Sequence, residues 1–419
     1  MSNNTPSLQD PVIIVGAGVT GLTLAQACRK ENIPCRIFER DDGATHRSAR
    51  RDLTIHWALP TFKALLLDDL VVRLPECYVN RGAVEAGEKG NFTLFDLSTA
   101  EPRWQVPAAE RIRVSREKLR ALLLTDLDVE WSKSLQNVEV VNGAVKAAFA
   151  DSTSCTGSML VGCDGANSAA RRLLHPEDYQ NKQLPIRLLG ATTHYTESEI
   201  AAIRDLDPFF LRGTDPKTDA CLWFSFLETP SDGLPPDKYS CQVIISWPHR
   251  ENWLDRVDPT ECPNTRTGQS FLMRKFSQTW AEPFRSLVQN IPKDSDIRPI
   301  ELTDWLPRPS TGFGSRVVLL GDAAATMVMY RGEGANHSIV DVSKLLEQIT
   351  PLYEGVDVKD DAAFEAVRAA YESEMIERKE TAVLASRRAC LDAHEYARIN
   401  EGSPLIKRRM MRTDLEEWR

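Results

Sequence analysis

Apolar positions fall into two textures along this chain. Val12-Ile13-Ile14-Val15 is a short unbroken β-branched run, the pattern of a parallel strand buried on both faces. It leads through Gly16-Ala17-Gly18-Val19-Thr20-Gly21 into the helical pattern LTLAQACRKE, which Asn32-Ile33-Pro34 stops. Cys35-Arg36-Ile37-Phe38 reads as a second strand and ends on Glu39-Arg40, completing a strand–helix–strand unit in about 30 residues. Arg116 to Leu124 carries Leu119, Leu122 and Leu123 at helical spacing. Residues 138–149 alternate like a β-meander, and Met159-Leu160-Val161 predicts a strand before Cys163-Asp164-Gly165.

The texture changes between 184 and 300. Strand-like runs at Arg187–Tyr195, Ala220–Leu227 and Ser240–Trp247 are separated by turns such as TPSDGLPPD, predicting a mostly antiparallel sheet inserted into an α/β chain. Val317-Val318-Leu319-Leu320 then restores the parallel-strand pattern and ends on Gly321-Asp322. A long helix is expected from near Gly334. The tail from 361 to 399 is rich in Ala, Glu and Arg at helical spacing.

Composition narrows the function classes. Across 419 residues, 42% hydrophobic and 26% charged content exclude wholesale disorder, collagen-like repeats and a multi-span membrane protein. A net charge of −9 gives no basic excess for nucleic acid. The nine cysteines include no C-x-x-C pair, which argues against a metal site or disulfide framework and for a reducing, cytoplasmic setting. MSNNTPSLQD has neither a basic nor an apolar signal region, and no run approaches the roughly 20 apolar residues of a membrane span. KRRMMR at 407–412 is followed by acids and reads as a solvated C-terminal helix, and the chain is expected to be a monomer or homodimer.

The glycine-rich segment has specific physical requirements. Gly16 permits a tight turn, Gly18 lets a pyrophosphate approach the backbone, and Gly21 lets helix and strand pack closely. The helix start then offers free N–H groups and partial positive charge to phosphates. Glu39, at the end of the next strand, suits an adenosine ribose. These features predict a Rossmann-like dinucleotide-binding domain but do not separate NAD from FAD.

Two further segments do. VVLLGDAAATMVMYRGEGANHSIVD at 317–341 and CDGANSAARR at 163–172, taken with the first segment and in the same order, resemble the class A flavin-dependent monooxygenases built like para-hydroxybenzoate hydroxylase. TIHWALP and YRGEGANH are similar to versions in fungal members that tailor secondary metabolites. The resemblance implies an FAD-binding domain in two parts (1–183 and 301–350), a substrate-binding sheet domain at 184–300, and a C-terminal helical segment at 351–419. It implies cofactor contacts from Gly16, Ala17, Gly18, Gly21, Glu39 and Arg40 on the adenylate and diphosphate side, and a contact of Arg116, at the head of a helix, with the FAD. Asp164 and Gly165 would serve both FAD and the nicotinamide nucleotide, Gly321 and Asp322 the ribityl chain, and Gly332, Gly334, Ala335 and Asn336 would form the helix start beside the flavin ring. A reduced flavin is anionic, and a helix N-terminus favours negative charge.

Departures accompany the resemblance: Arg50-Arg51-Asp52 replaces a small turn, Ala325 a histidine and Met329 a proline. The implied cycle has NAD(P)H reduce FAD, O2 form a C4a-hydroperoxide, and one oxygen pass to an electron-rich carbon of an aromatic, polyketide, terpenoid or alkaloid-type substrate. Arg47, with its neighbouring arginines, is expected near the flavin and tilts the nucleotide toward NADPH over NADH. Phenol activation calls for a base, with His194 and Tyr195 as candidates on opposite strand faces and His56 as another; His337 reads as positional. Epoxidation and Baeyer–Villiger-type insertion use the same scaffold. Rival readings are a halogenase, whose W-x-W-x-I-P signature is missing here, an isoprenoid reductase, and a non-enzymatic module like the Rab GDP-dissociation inhibitor.

Overall fold

The computed structural model describes residues 10–44, 52–106, 110–254, 256–353 and 361–407. The β-branched run at the start forms the strand Val12–Val15, at the centre of a five-stranded parallel sheet. Its neighbours are Met159–Gly162 on one side and Cys35–Phe38 on the other, with Val317–Leu319 and Val129–Glu130 at the edges. Val12, Ile13 and Ile14 are fully buried, which explains their unbroken apolar pattern. Helices Val19–Lys30 and Gly334–Tyr353 pack together beside this sheet. The expected meander is present as Leu135–Val141, Ala144–Phe149 and Ser154–Gly157.

The second sheet has seven strands. Asp296–Pro299, Ile186–Tyr195, Tyr239–Pro248, Cys221–Glu228 and Phe210–Thr214 run antiparallel in that order, as the alternating pattern predicts. Two further strands, Phe92–Asp96 and Pro102–Val106, come from well before residue 184, so the sheet is not confined to the expected insertion. Phe92–Asp96 joins it in parallel to Phe210–Thr214.

The pleat separates two cores. On one face Tyr195, Phe224, Val243, Ile245 and Trp247 pack with Met273, Phe276 and Phe284 of the covering helices. On the other, Leu94, Leu188, Cys221 and Ile244 pack with Val328, Tyr330, Ala389 and Cys390. The second core seats the sheet on the turn before Gly332 and on the end of the long helix Asp361–Ala393. No helix among the described residues is long and apolar enough to cross a membrane, and no His/Cys/Asp/Glu group among them is arranged to hold a metal.

Candidate active site

The glycine-rich turn is held by contacts only glycine allows. Gly16 has φ +107°, and a Cβ there would lie 2.5 Å from the Cys163 carbonyl oxygen. A Cβ on Gly21 would lie 2.0 Å from the Gly16 oxygen, so helix and turn touch at backbone distance. Gly18 differs: a Cβ there meets nothing within 4 Å, because it faces an open cleft. The helix Val19–Lys30 starts there with no side-chain cap and no acid in its first turn, leaving its N–H groups for an anion.

Glu39 is buried and grips the same turn. Its Oε2 accepts from the Ala17 N–H at 2.7 Å and its Oε1 from the Asp41 N–H at 3.1 Å. The Ala17 carbonyl in turn accepts from Arg120 Nε at 2.8 Å, a buried arginine on the helix Arg116–Leu123. Arg116 begins that helix, after Ser115 caps it by accepting from the Lys118 N–H.

The Asp164-Gly165 segment follows the strand Met159–Gly162. Asp164 accepts from the N–H groups of Ala169 and Ala170 at 2.6 and 3.2 Å, and from the Ser168 hydroxyl, which anchors the helix Ala169–Leu174. Arg171 on this helix is buried over the Trp305 ring. It donates to the carbonyls of Asp322 (2.5 Å) and Ala323 (2.9 Å) and to Thr326 Oγ1 (2.9 Å). The middle segment therefore shapes the Gly321-Asp322 turn directly. Asp322 is exposed, and it lines the cleft. The protein packed around it raises its pKa above the usual carboxylate value, opposed by the charges of Lys379, Arg116 and Arg171.

The helix Gly334–Tyr353 brings Ala335, Ser338 and Ile339 to the same cleft. Gly332 takes φ +66° just before it, in the left-handed region that favours glycine. Asn336 is fully buried: its Oδ1 accepts from the His56 N–H at 2.9 Å and its Nδ2 donates to the Thr54 carbonyl at 3.0 Å. Its amide thus staples residues 54–56 to the helix start.

One elongated cleft gathers these parts. Of the expected cofactor residues, Gly16, Gly18, Glu39, Arg40, Arg116, Asp164, Gly165, Asp322 and Ala335 line it. Ala17, Gly21 and Gly321 stand behind the wall, where they set its shape, and Gly332 and Gly334 form the turn and helix start beside it. Sequence reasoning missed Lys133, Ser134 and Leu135 in the lining, and Arg120 and Arg171 behind it. A lone arginine within an amphipathic helix carries no local signal for such a role.

The proposed bases fare differently. Tyr195 lies in the helix-covered core, away from the cleft; its hydroxyl donates to the Leu287 carbonyl at 2.6 Å, and burial pushes its pKa well above the usual tyrosine value. That corrects its expected role as a base. His194 is exposed at the end of the same strand, on the opposite face, and does not border the cleft. His56 sits by the cleft end, its Nε2 3.4 Å from the Gly332 carbonyl. His337 is buried and edge-on to Trp57; burial first, then Arg378, pushes its pKa well below the usual histidine value, consistent with a positional role. Arg47, with Arg50 and Arg51, and most of KRRMMR lie outside the described residues.

Comparison with known proteins bears on this geometry. Residues 9–265 match the family described as FAD binding domain. A protein of Arthroderma benhamiae named "Probable FAD-dependent monooxygenase" is 44% identical over 412 residues, covering 95% of each chain. The FAD-dependent monooxygenase tazP of Aspergillus terreus is 36% identical, covering 81% of this chain and 89% of its own. The chain belongs to the FAD-dependent monooxygenases. Among solved structures, this monooxygenase shares its fold with 2,6-dihydroxypyridine-3-hydroxylase from Arthrobacter nicotinovorans, at TM-score 0.72 and 17% identity over 97% of this chain and 98% of that one. Klebsiella pneumoniae HpxO complexed with FAD and uric acid superimposes at TM-score 0.71 and 17% identity, covering 97% of each chain. FAD is the monooxygenase's cofactor, and the cleft fits it: open space at Gly18, an uncapped helix start there to meet negative charge, and a carboxylate at Asp322 for sugar hydroxyls.

Proposed function

We propose that the cleft binds FAD in an extended form, with Glu39 at the adenosine ribose, the helix start at Gly18 on the diphosphate, Asp322 on the ribityl hydroxyls, and the ring end beside the Gly332–Gly334 turn. The observation that carries this reading is the convergence of Gly18, Glu39, Arg116, Asp164 and Asp322, from five separate stretches of chain, on one cleft. Bound FAD, reduced by NAD(P)H, supplies the electrons and the activation of O2. The chain's own part is to hold that cofactor, orient a substrate against it and exclude water.

The reaction we propose is insertion of one oxygen atom into an aromatic or other electron-rich small molecule, in fungal secondary metabolism. The names and sources of the relatives support this, as does the hydroxylase among the fold neighbours. Within this reading the seven-stranded sheet, including Phe92–Val106, forms the substrate domain, and the C-terminal helices support both domains. A cytoplasmic protein with NADPH as the preferred reductant completes the proposal. Among the described residues, His56, whose Nε2 lies 3.4 Å from the Gly332 carbonyl, is the imidazole that would hold or move a substrate proton, in place of Tyr195.

The test is oxidation of NADPH and NADH by the FAD-loaded protein, scored against a panel of phenolic polyketides. A true substrate is expected to speed nucleotide consumption at least tenfold and to give a product heavier by one oxygen atom; the acceleration follows from substrate-gated turnover. If every accelerating compound returned unchanged with hydrogen peroxide as the only product, the oxygenase reading would fail.

A further inference from the structure

The helix Asp361–Ala393 lies beyond the 9–265 match to the FAD-binding family, and its sequence pattern marks it only as a helical tail. Its side chains nevertheless reach the cofactor turn. Gly321 has φ +64°, and both of its backbone polar groups are taken by charged side chains. Its N–H donates to Asp341 Oδ2 at 2.8 Å, and its carbonyl accepts from Lys379 Nζ at 2.7 Å. Lys379 and Asp341 also pair with each other at 2.6 Å, with side-chain exposures of 1% and 0%. Arg378 takes the other Asp341 oxygen at 2.9 Å and is itself paired to Glu374. Burial opposes charge on Asp341, but Lys379 and Arg378 outweigh it and hold the carboxyl below its usual value.

Stability alone does not call for such a pair, since well-packed apolar residues of similar volume often do as well. The geometry gives a sharper reason, because both members end on the glycine that precedes Asp322. On its other side that glycine is pressed against the cofactor helix: a Cβ there would lie 2.7 Å from Thr20 Oγ1. We infer that Lys379 and Asp341 are positioning residues for the cofactor, clamping the Gly321 peptide so that the Asp322 carboxylate faces the ribityl chain, with the Lys379 ammonium supplying positive potential behind it. The inference rests on the reading of Asp322 as a cofactor ligand. The charged groups acting on Asp322 are Lys379, Arg116 and Arg171, which favour its ionised form, and Asp341, which opposes it.

Apoprotein titrated with FAD, followed by flavin fluorescence, tests this, with thermal unfolding of each apoprotein measured in parallel. Lys379→Met is expected to raise the FAD dissociation constant about tenfold, the cost of losing one charge-assisted bond. Lys379→Arg keeps a donor and a charge and should recover most of the affinity. The loss in Lys379→Met should be larger at pH 6 than at pH 8, because Asp322 takes up a proton more readily without the ammonium. A lone buried Asp341 could unfold the single variant, so Lys379→Met combined with Asp341→Asn removes both charges together; it too should bind FAD several-fold more weakly. The inference is overturned if the double variant binds FAD within twofold of wild type, or if Lys379→Arg is as weak as Lys379→Met and both losses follow the apoprotein melting temperature at either pH. Asp322→Ala separates the two readings. Normal FAD binding there removes the ligand role of Asp322 itself, whereas weak binding there with normal Lys379 variants removes only the clamp.

Discussion

Gly16, Gly18 and Gly21 look equivalent in the sequence, yet the structure gives them different work. Gly16 and Gly21 are required by the protein, since added methyl groups would strike backbone at 2.5 and 2.0 Å, whereas a methyl on Gly18 would meet nothing within 4 Å and enter the cleft we propose for FAD. Gly21→Ala is therefore expected to destabilise the apoprotein by about 1–3 kcal/mol through overpacking. Gly18→Ala should leave apoprotein unfolding by urea unchanged while weakening FAD binding at least tenfold by crowding the diphosphate; equal stability losses in both variants would contradict this division. Glu39, Asp164 and Asp322 were legible as candidates because each follows a short apolar strand, Asp164 and Asp322 beside a glycine as well, a local pattern. Arg120, Arg171 and Lys379 were not, since each meets a backbone carbonyl between 58 and 152 residues away, which no short spacing encodes. Tyr195 was misjudged because alternation separates the two faces of a strand without saying which one is covered by helices.

At the level of elements, parallel strands and amphipathic helices were readable because burial on both faces, or on one stripe, imposes a period on the chain. The recruitment of Phe92–Asp96 and Pro102–Val106 into the large sheet was not, since pairing between distant strands is chosen by tertiary packing. A further link joins the two strands Asp52–Ile55 and Ile112–Ser115, which pair beside the cleft. Across them Asp52 and Arg113 form an ion pair at 3.3 Å, with side-chain exposures of 2% and 7%. Burial pushes the Asp52 carboxyl up to about 7, against the pull of Arg113 and with help from Glu228 and Asp232. An acid whose pKa rises on folding stabilises the fold fully below its unfolded pKa of about 3.9, and that contribution is lost as pH climbs through the folded value. Wild-type stability measured relative to Asp52→Asn should fall between pH 4 and pH 7 and then level off. A difference that stays flat over that range would show the carboxyl to be ionised throughout.

Over the whole molecule, the FAD-side sheet, the seven-stranded sheet and the C-terminal helix meet around the turn at 321–334. Tyr330 shows how closely: Arg212 of the large sheet donates to its carbonyl at 2.8 Å, and its hydroxyl donates to Ser246 Oγ at 2.9 Å. The sequence announced the two sheets and the helix separately, and the contacts that join them are side-chain bonds with no local signature. The central claim is that one cleft grips FAD at both ends, from Glu39 to Ala335. Calorimetric titration of the apoprotein with FAD and with FMN, which lacks the adenosine end, tests it most directly. One FAD per chain should bind at least a hundredfold more tightly than FMN, because the contacts of Glu39 and of the helix start at Gly18 are lost with the adenylate. Equal affinity for the two flavins would mean that the glycine-rich end of the cleft holds nothing.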